Sequence, residues 1–193
     1  GYTLTDEYSW PYTSDPVVWD ALNSYRAADA EAIVNTYDGL LEYDIENVQQ
    51  PALATGYTVS DDGLTYTFKL REGVNWVDNQ GNVIEKLTAD SFVAGMQHML
   101  DAKGGLEYLV DGKIKNASQY MAGEITDFAE VGVKAVDEYT LEYTLEAPCT
   151  YFTTMLGYGV FAPMSRAYFT ANGGAFGVEE YAAASATDAY TYG

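Results

Sequence analysis

The residues with the most reactive side chains are a single cysteine, Cys149, and a single histidine, His98. A thiol and an imidazole can form a nucleophile–base pair when the fold brings them within hydrogen-bond reach. Nothing in the sequence EAPCTYF around Cys149 indicates such a partner. We interpret Cys149 as a small buried apolar residue and His98 as a surface or half-buried side chain, with the pair left open at this point.

Motifs for metal, nucleotide or hydrolase sites are missing from the sequence. One histidine and one cysteine are too few for the usual zinc ligand sets, and there is no P-loop, GxGxxG or GxSxG motif. The segment DNQGN at 78–82 resembles a calcium loop only weakly, since it lacks alternating carboxylates, so we predict a turn. We predict a protein that is not an enzyme and has no cofactor or metal. A hydrolase that uses a carboxylate pair is the enzymatic alternative.

The charge balance argues against two classes of partner. There are 29 acidic and 9 basic residues, which give a net charge of −20. Nucleic-acid binding needs clustered Lys and Arg, and an anionic membrane surface would repel such a chain. We interpret the acidity as a contribution to solubility. Hydrophobic residues make up 48% of the chain, which is enough for a packed core.

Alternation of apolar and polar residues predicts two β-strands. The turn Asp61-Asp62-Gly63 is followed by four apolar residues that share one face, Leu64, Tyr66, Phe68 and Leu70. A second alternating stretch contains Leu141, Tyr143 and Leu145. If the two strands pair, Lys69 and Arg71 are expected to face Glu142 and Glu146 across the sheet.

Helical spacing of apolar residues predicts further elements around these strands. Thr88 is predicted to cap a helix whose apolar stripe consists of Phe92, Met96, Met99 and Leu100. A helix from Asp29 and a short helix at 117–121 are also predicted. The final stretch, YAAASATDAYTYG, has no core pattern and is interpreted as a chain cut within a domain.

Several motifs together are similar to one known family. The run PALATGYTVSDDGLTYTFKLREGVNWVD is followed by LTADSFVAGMQHMLD, and TYDGLL stands at 36–41. The hairpin VGVKAVDEYTLEYTLE stands at 131–146. In this order, the segments resemble the extracellular solute-binding proteins of family 5, which include oligopeptide- and dipeptide-binding receptors of ABC importers. The resemblance spans residues 15–193, although DNQGNVIEK replaces a shorter turn of the family.

The resemblance implies a fold and a division of the chain. The expected class is α+β, with a mixed sheet, flanking helices and a two-lobed, type II periplasmic-binding-protein-like architecture. Residues 1–52 would form the N-terminal part of lobe I, 53–160 an inserted subdomain with β-hairpins, and 161–193 a truncated return to lobe I. Because family members are much longer, the chain is expected to be an N-terminal fragment.

The resemblance also implies where a ligand would bind. In peptide-binding members, the segment before the first helix lines the cleft and offers backbone groups to an extended peptide. In this sequence that segment is Ser24, Tyr25, Arg26 and Ala27, and Tyr158 matches another cleft-facing position. The alternatives are a surface charge for Arg26 and a core aromatic for Tyr158. Trp76 is expected to be structural.

The implied function is a receptor that captures peptides between two lobes by hinge closure for a bacterial ABC importer. The expected partners are a peptide and the permease subunits, with a monomeric receptor outside the cell or in the periplasm. Membrane attachment would come only from a lipid anchor outside this chain. The alternatives are another solute, such as a nickel chelate, haem, glutathione or an oligosaccharide, or a secreted interaction module without a transport role.

Overall fold

The computed structural model describes residues 14–178 together with positions 6, 7, 9 and 11. The tail at 181–193 and part of the predicted segment 161–193 lie outside the described residues. The strands are β1 Leu41–Tyr43, β2 Gln49–Pro51, β3 Ala54–Val59, β4 Thr65–Leu70, β5 Asn75–Val77, β6 Val83–Lys86, β7 Val133–Asp137 and β8 Thr140–Thr144. The helices are α1 Ala27–Ile33, α2 Ala89–Ala102, α3 Ala117–Met121, α4 Phe152–Met155 and α5 Arg166–Ala171. Three short 3-10 helices lie at Glu107–Leu109, Phe128–Glu130 and Gly159–Phe161.

The largest sheet has four strands in the order β3-β4-β8-β7, and two further sheets pair β1 with β2 and β5 with β6. The predicted α+β class is confirmed. A mixed sheet was predicted, but every strand pair among the described residues is antiparallel. The physical reason is that four of these five pairs join consecutive strands, which short turns can connect only in antiparallel fashion.

The turn between β3 and β4 is built from its own sequence. Gly63 has a φ of +72°, which glycine adopts without steric cost. The Asp62 carboxylate accepts hydrogen bonds from the Ser60 hydroxyl at 2.5 Å and the Leu64 amide at 3.0 Å. In β4 the alternate residues 66, 68 and 70 are buried, which confirms the predicted apolar face.

Charges on the polar face of β4 make other contacts than those predicted. The prediction that Lys69 and Arg71 face Glu142 and Glu146 was wrong. Lys69 Nζ donates to Thr140 Oγ1 at 2.6 Å, and Arg71 Nε donates to a backbone carbonyl just before β3. Glu142 lies opposite a threonine of β4, and Glu146 accepts a backbone amide outside the sheet. The strand register sets these neighbours, and alternation does not specify the register.

Helix α2 packs against the sheet and against the segment that carries Tyr158. Ser91 Oγ accepts a hydrogen bond from the Thr88 amide at 3.3 Å, so the predicted start of the helix is confirmed. A side chain at Gly95 would put its Cβ 2.3 Å from the Ala162 carbonyl oxygen. Only glycine permits this close approach of helix and backbone. None of the described helices is both long and apolar enough to cross a membrane.

The hairpin of β5 and β6 contains the DNQGN segment and Trp76. The Asp78 carboxylate accepts the amides of Gln80 and Asn82 at 2.8 Å each, which confirms a turn. Trp76 is buried, and its indole nitrogen donates to Ser91 Oγ at 3.1 Å. The position of Trp76 agrees with the structural role expected from the sequence.

An aromatic cluster fixes the segment around residue 158 to the main sheet. Tyr143 of β8 lies edge-on to Phe152 of α4, with ring centroids 5.7 Å apart, and to Phe161 at 5.9 Å. Phe152 and Phe161 are 5.8 Å apart, also edge-on. Such arrangements are favoured by the aromatic quadrupole and add to the burial of apolar area. The connection between Phe152 and Phe161, which includes Tyr158, is therefore held at both ends.

Candidate functional site

An open cavity of about 500 Å³ lies where three segments of the chain meet. The first segment is the backbone before α1 and one face of that helix. The second is the 3-10 helix Glu107–Leu109, and the third is the stretch 157–160. A volume of this size is typical of small-molecule and peptide side-chain sites.

The five residues predicted to bind a ligand all line this one cavity: Ser24, Tyr25, Arg26, Ala27 and Tyr158. Tyr25 is 74% exposed and Tyr158 is 57% exposed. The alternative interpretation of Tyr158 as a core aromatic is therefore wrong. The fold brings together two groups that are far apart in the sequence, and the structure leaves their role in binding as a prediction.

The backbone of Ser24 to Ala27 is held in place by a buried carboxylate, Asp29. Its oxygens accept hydrogen bonds from the Ser24 hydroxyl at 2.6 Å and from the Val17 amide at 2.8 Å, and Arg26 Nη1 lies 3.6 Å away. Burial opposes ionisation of this group, but the Ser24 and Val17 hydrogen bonds and the Arg26 charge outweigh it and lower the pKa of Asp29. Asp29 therefore stays ionised at neutral pH.

The predicted site residues differ in whether their side chains are hydrogen-bonded within the protein or exposed to the cavity. The Ser24 side chain is buried, donates to Asp29 and accepts the Arg26 amide at 3.2 Å. Its hydroxyl is therefore committed to the protein. Arg26 is half-buried and reaches Asp29, so it is more than the free surface charge of the alternative interpretation. Tyr25, Ala27 and Tyr158 present exposed side chains to the cavity.

Tyr25 also leaves its backbone open. Among the described residues, no hydrogen-bond partner is found for its amide or its carbonyl. The residue is exposed, so water satisfies these groups in the free protein. An extended chain passing along this segment could replace that water with backbone hydrogen bonds.

The other end of the same segment is held by a second buried carboxylate. Asp20 Oδ2 lies 2.6 Å from His98 Nε2, and both side chains are buried. Asp20 also accepts the Leu22 amide at 3.0 Å, and its carbonyl accepts the Asn23 amide at 3.1 Å. The interpretation of His98 as a surface or half-buried residue was wrong, since its imidazole also packs edge-on against the Phe169 ring.

Sequence reasoning missed several residues of the cavity wall. Tyr108 is 67% exposed at the rim, with Leu106 and Leu109 beside it. Tyr37 is half-buried, and burial raises the pKa of its phenol. The only local signal for Tyr108 was a tyrosine following the Gly104-Gly105 break. That pattern does not say which surface the tyrosine will face.

A second cavity, of about 310 Å³, continues from the first. The two share Val34, Tyr37, Gly157 and Tyr158 in their walls. The second cavity adds Asp38 and Tyr43 on the side of β1. Because Val34 follows the last residue of α1, the two cavities adjoin at the end of that helix.

The single histidine and the single cysteine both lie outside the walls of this groove. No group of three or more His, Cys, Asp or Glu side chains that could hold a metal ion is found in the described part of the chain. His98 is paired with Asp20, whereas Cys149 is half-buried at the core and its carbonyl accepts the Tyr66 hydroxyl at 3.1 Å. The walls of the groove consist of tyrosines, small side chains and the open backbone of Tyr25.

Comparisons with known proteins agree on one group of relatives. The family described as bacterial extracellular solute-binding proteins, family 5, middle region, matches residues 48–191. The chain is 40% identical over 169 residues to the oligopeptide-binding protein AmiA of Streptococcus pneumoniae, covering 88% of this chain and 26% of AmiA. It is 38% identical over 154 residues to the probable deoxycholate-binding periplasmic protein YgiS of Escherichia coli, covering 78% of this chain and 28% of YgiS.

Solved structures give the same result. The crystal structure of the substrate-binding domain of an oligopeptide ABC transporter from Bacillus anthracis matches with a TM-score of 0.72 at 35% identity. The match covers 82% of this chain and 30% of that one. The chain thus spans about a quarter of the length of the curated relatives it matches.

Proposed function

We infer the function from one premise: this chain belongs to the bacterial extracellular solute-binding proteins of family 5. Its α+β fold is part of the two-lobed, type II periplasmic-binding-protein architecture. We propose that it is part of the substrate-binding receptor of a bacterial ABC importer, which captures peptides between two lobes. The observation that carries the proposal is the single cavity that joins Ser24–Ala27 with Tyr158.

A peptide would bind first through its backbone. The open amide and carbonyl of Tyr25 lie in a non-helical segment, which allows an extended peptide to pair with it. Side chains of the peptide would enter the cavity between Tyr25 and Tyr158. Tyrosines suit this task because their rings add large contact area at low conformational cost, with a polar tip at the solvent edge.

The remaining predicted site residues have separate roles in this proposal. Ala27 lies on the exposed side of α1 and would permit close approach of the peptide. Arg26 would place a positive charge at the cavity wall, partly neutralised by Asp29. Ser24 would act through its hydrogen bond to Asp29 rather than by touching the peptide. No bond of the peptide would be broken, so the receptor would not be an enzyme.

We keep the division of the chain into 1–52, 53–160 and 161–193 as a proposal. The four-stranded sheet and α2 all fall within 53–160, which supports a subdomain with its own core. Residues before and after it would belong to lobe I. Hinge closure would need a second lobe, and about three-quarters of the length of relatives such as AmiA has no counterpart in this chain.

The receptor would work outside the cytoplasm, in the periplasm or attached to the cell surface, and deliver its ligand to permease subunits as a monomer. This follows from the family, whose members are extracellular solute-binding proteins. A lipid anchor outside this chain would provide attachment.

Another solute is the second candidate. YgiS, which is 38% identical to this chain, is named as a probable deoxycholate-binding protein. The relatives of this chain are therefore not all named as peptide-binding proteins. The apolar wall formed by Ile33, Leu106 and Val160 would suit a compact apolar ligand. A nickel chelate, haem, glutathione, an oligosaccharide or a non-transport role stays as a weaker alternative.

Mass spectrometry of ligands that co-purify with the complete receptor tests the proposal. We expect a mixture of short peptides. A single uniform non-peptide ligand would support the second candidate and overturn the first. This 193-residue chain without a second lobe should bind peptides weakly or not at all, and calorimetry that measures micromolar binding to it would contradict that expectation.

A further inference from the structure

We propose that His98 and Asp20 are positioning residues. Their contact ties residues 20–27, the cleft segment, to α2 and keeps the segment in the conformation that would bind a ligand. Neither side chain lines the cavity, and both are buried. His98 lies on α2, whereas Asp20 begins the segment that passes Tyr25. The consequence for ligand affinity rests on the function proposed above, but the consequence for the segment itself does not.

The geometry points to Asp20 as the link between α2 and the segment. One carboxylate oxygen lies 2.6 Å from His98 Nε2, and the other accepts the Leu22 amide at 3.0 Å. The Asp20 carbonyl accepts the Asn23 amide at 3.1 Å, which closes a turn. A carboxylate oxygen can only accept, so the imidazole nitrogen is the donor in this pair.

A close contact shows that the segment has little room to move against α2. A Cβ at Gly104, just after the helix, would lie 2.0 Å from the Asn23 side-chain oxygen and 2.5 Å from its carbonyl oxygen. The chain at Asn23 is therefore pressed onto the end of α2. His98, one turn before the end of α2, makes a second contact with the same segment through Asp20.

The two buried carboxylates enclose the cleft backbone. Asp20 holds its beginning and Asp29 holds its end, through Ser24 and Arg26. Between them the backbone of Tyr25 has no hydrogen-bond partner among the described residues. An unpaired backbone keeps a fixed shape only if its ends are fixed, and such preorganisation raises affinity because less order is lost on binding.

The test compares His98→Met with His98→Gln in the complete receptor. Both replacements are unbranched and of similar length, but only Gln can donate a hydrogen bond to Asp20. Amide hydrogen exchange without ligand is the first measurement. We expect the Leu22 and Asn23 amides to exchange about ten- to hundredfold faster in His98→Met than in His98→Gln, the range for a lost charged hydrogen bond. The Phe68 amide in β4 should exchange equally in both variants.

Calorimetry with trileucine is the second measurement. His98→Met should weaken trileucine binding, and His98→Gln should restore most of it. If the wild-type receptor does not bind trileucine, the proposed function is weakened, while the exchange measurement still decides the positioning role. Asp20→Asn, which keeps the volume but loses one acceptor, should reproduce the local exchange change if His98→Met fails to fold.

Tyr120→Phe is the matched control, because it removes a hydrogen bond to another buried carboxylate on α2. Tyr120 donates to Asp101 at 2.7 Å, and that pair lies outside the cavity wall. The control should leave exchange at Leu22 and Asn23 unchanged. Equal exchange at these amides in His98→Met and His98→Gln, or the same local change in Tyr120→Phe, would overturn the positioning role.

Discussion

The hairpin of β3 and β4 and the cleft segment 20–27 are both held by aspartates that accept backbone amides, but over very different distances in the chain. Asp62 accepts an amide two residues away. Asp29 accepts the Val17 amide 12 residues away, and Asp20 meets His98 across 78 residues. The hairpin turn is therefore held by neighbouring residues, whereas the cleft segment combines local contacts, such as the Leu22 amide to Asp20, with contacts to distant parts of the chain.

This difference corresponds to two roles. The hairpin supplies core, with Tyr66, Phe68 and Leu70 buried on one face. The cleft segment supplies surface, with an exposed tyrosine and an unpaired backbone above buried charges. The turn of the hairpin is local, although its buried face packs against β8. An exposed segment has few contacts of its own, so other elements must hold it.

The largest expected effect is in the hairpin. Phe68→Ala removes a fully buried ring that contacts Tyr143, with ring centroids 6.1 Å apart. We expect a loss of about 3–5 kcal/mol in the free energy of unfolding, measured by urea denaturation. Phe68→Leu is the control and should cost less. A loss below about 1 kcal/mol for the alanine variant would show that the hairpin is not the centre of the core.

Asp29→Ala should come next and should act on the cleft segment. It leaves the Ser24 hydroxyl, the Val17 amide and the Arg26 charge without their acceptor. We expect a loss of about 2–3 kcal/mol in unfolding free energy, together with faster amide exchange near Arg26. Asp29→Asn keeps one acceptor oxygen and should lose less. Unchanged exchange at the segment in the alanine variant would remove the contrast with the hairpin.

Gly63→Ala tests the local turn and should have a smaller effect. The φ of +72° at this position disfavours any residue with a Cβ, so we expect a loss of about 1–2 kcal/mol. Gly56→Ala in β3 is the matched control, since no atom lies within 4 Å of its added Cβ and its φ is not positive. If both variants lose the same stability, the turn conformation is not what matters at Gly63.

The pH dependence of the unfolding free energy distinguishes the contribution of Asp29 from that of the other acidic residues. The folded pKa of Asp29 lies below its ordinary value of 3.8, because hydrogen bonds and Arg26 outweigh the burial that opposes them. Its stabilising contribution is thus fully present above pH 3.8 and is lost as the pH falls through the folded pKa. Urea denaturation across this range should show a smaller acid-dependent loss in Asp29→Asn than in the wild type. An identical loss would mean that Asp29 titrates normally.

Much of the fold could be predicted, because its signals are local. The Asp62-Gly63 turn, the buried face of β4 and the Thr88 start of α2 each depend on a few neighbouring residues. The predictions that failed concerned contacts between residues far apart in the sequence. The partners of Lys69 depend on the strand register, and the burial of His98 depends on a carboxylate 78 residues away.

The candidate site was predicted only in part. Resemblance to a family identified Ser24–Ala27 and Tyr158, and the fold places them around one cavity. Tyr108 was missed because an exposed tyrosine after two glycines is an ordinary surface pattern in any chain. Asp29 was predicted only as the start of a helix and Asp20 was not singled out among 29 acidic residues, since the sequence does not show which carboxylates are buried.

The sequence by itself determined the class of the fold, the hairpins, the start of α2 and the family to which the chain belongs. These depend on short-range periodicity, turn residues and ordered motifs. Only the tertiary structure decided which carboxylates are buried, which tyrosines face the groove and that the Ser24 hydroxyl donates to Asp29. Those features depend on contacts between residues that are distant in the sequence, and local sequence patterns do not specify such contacts.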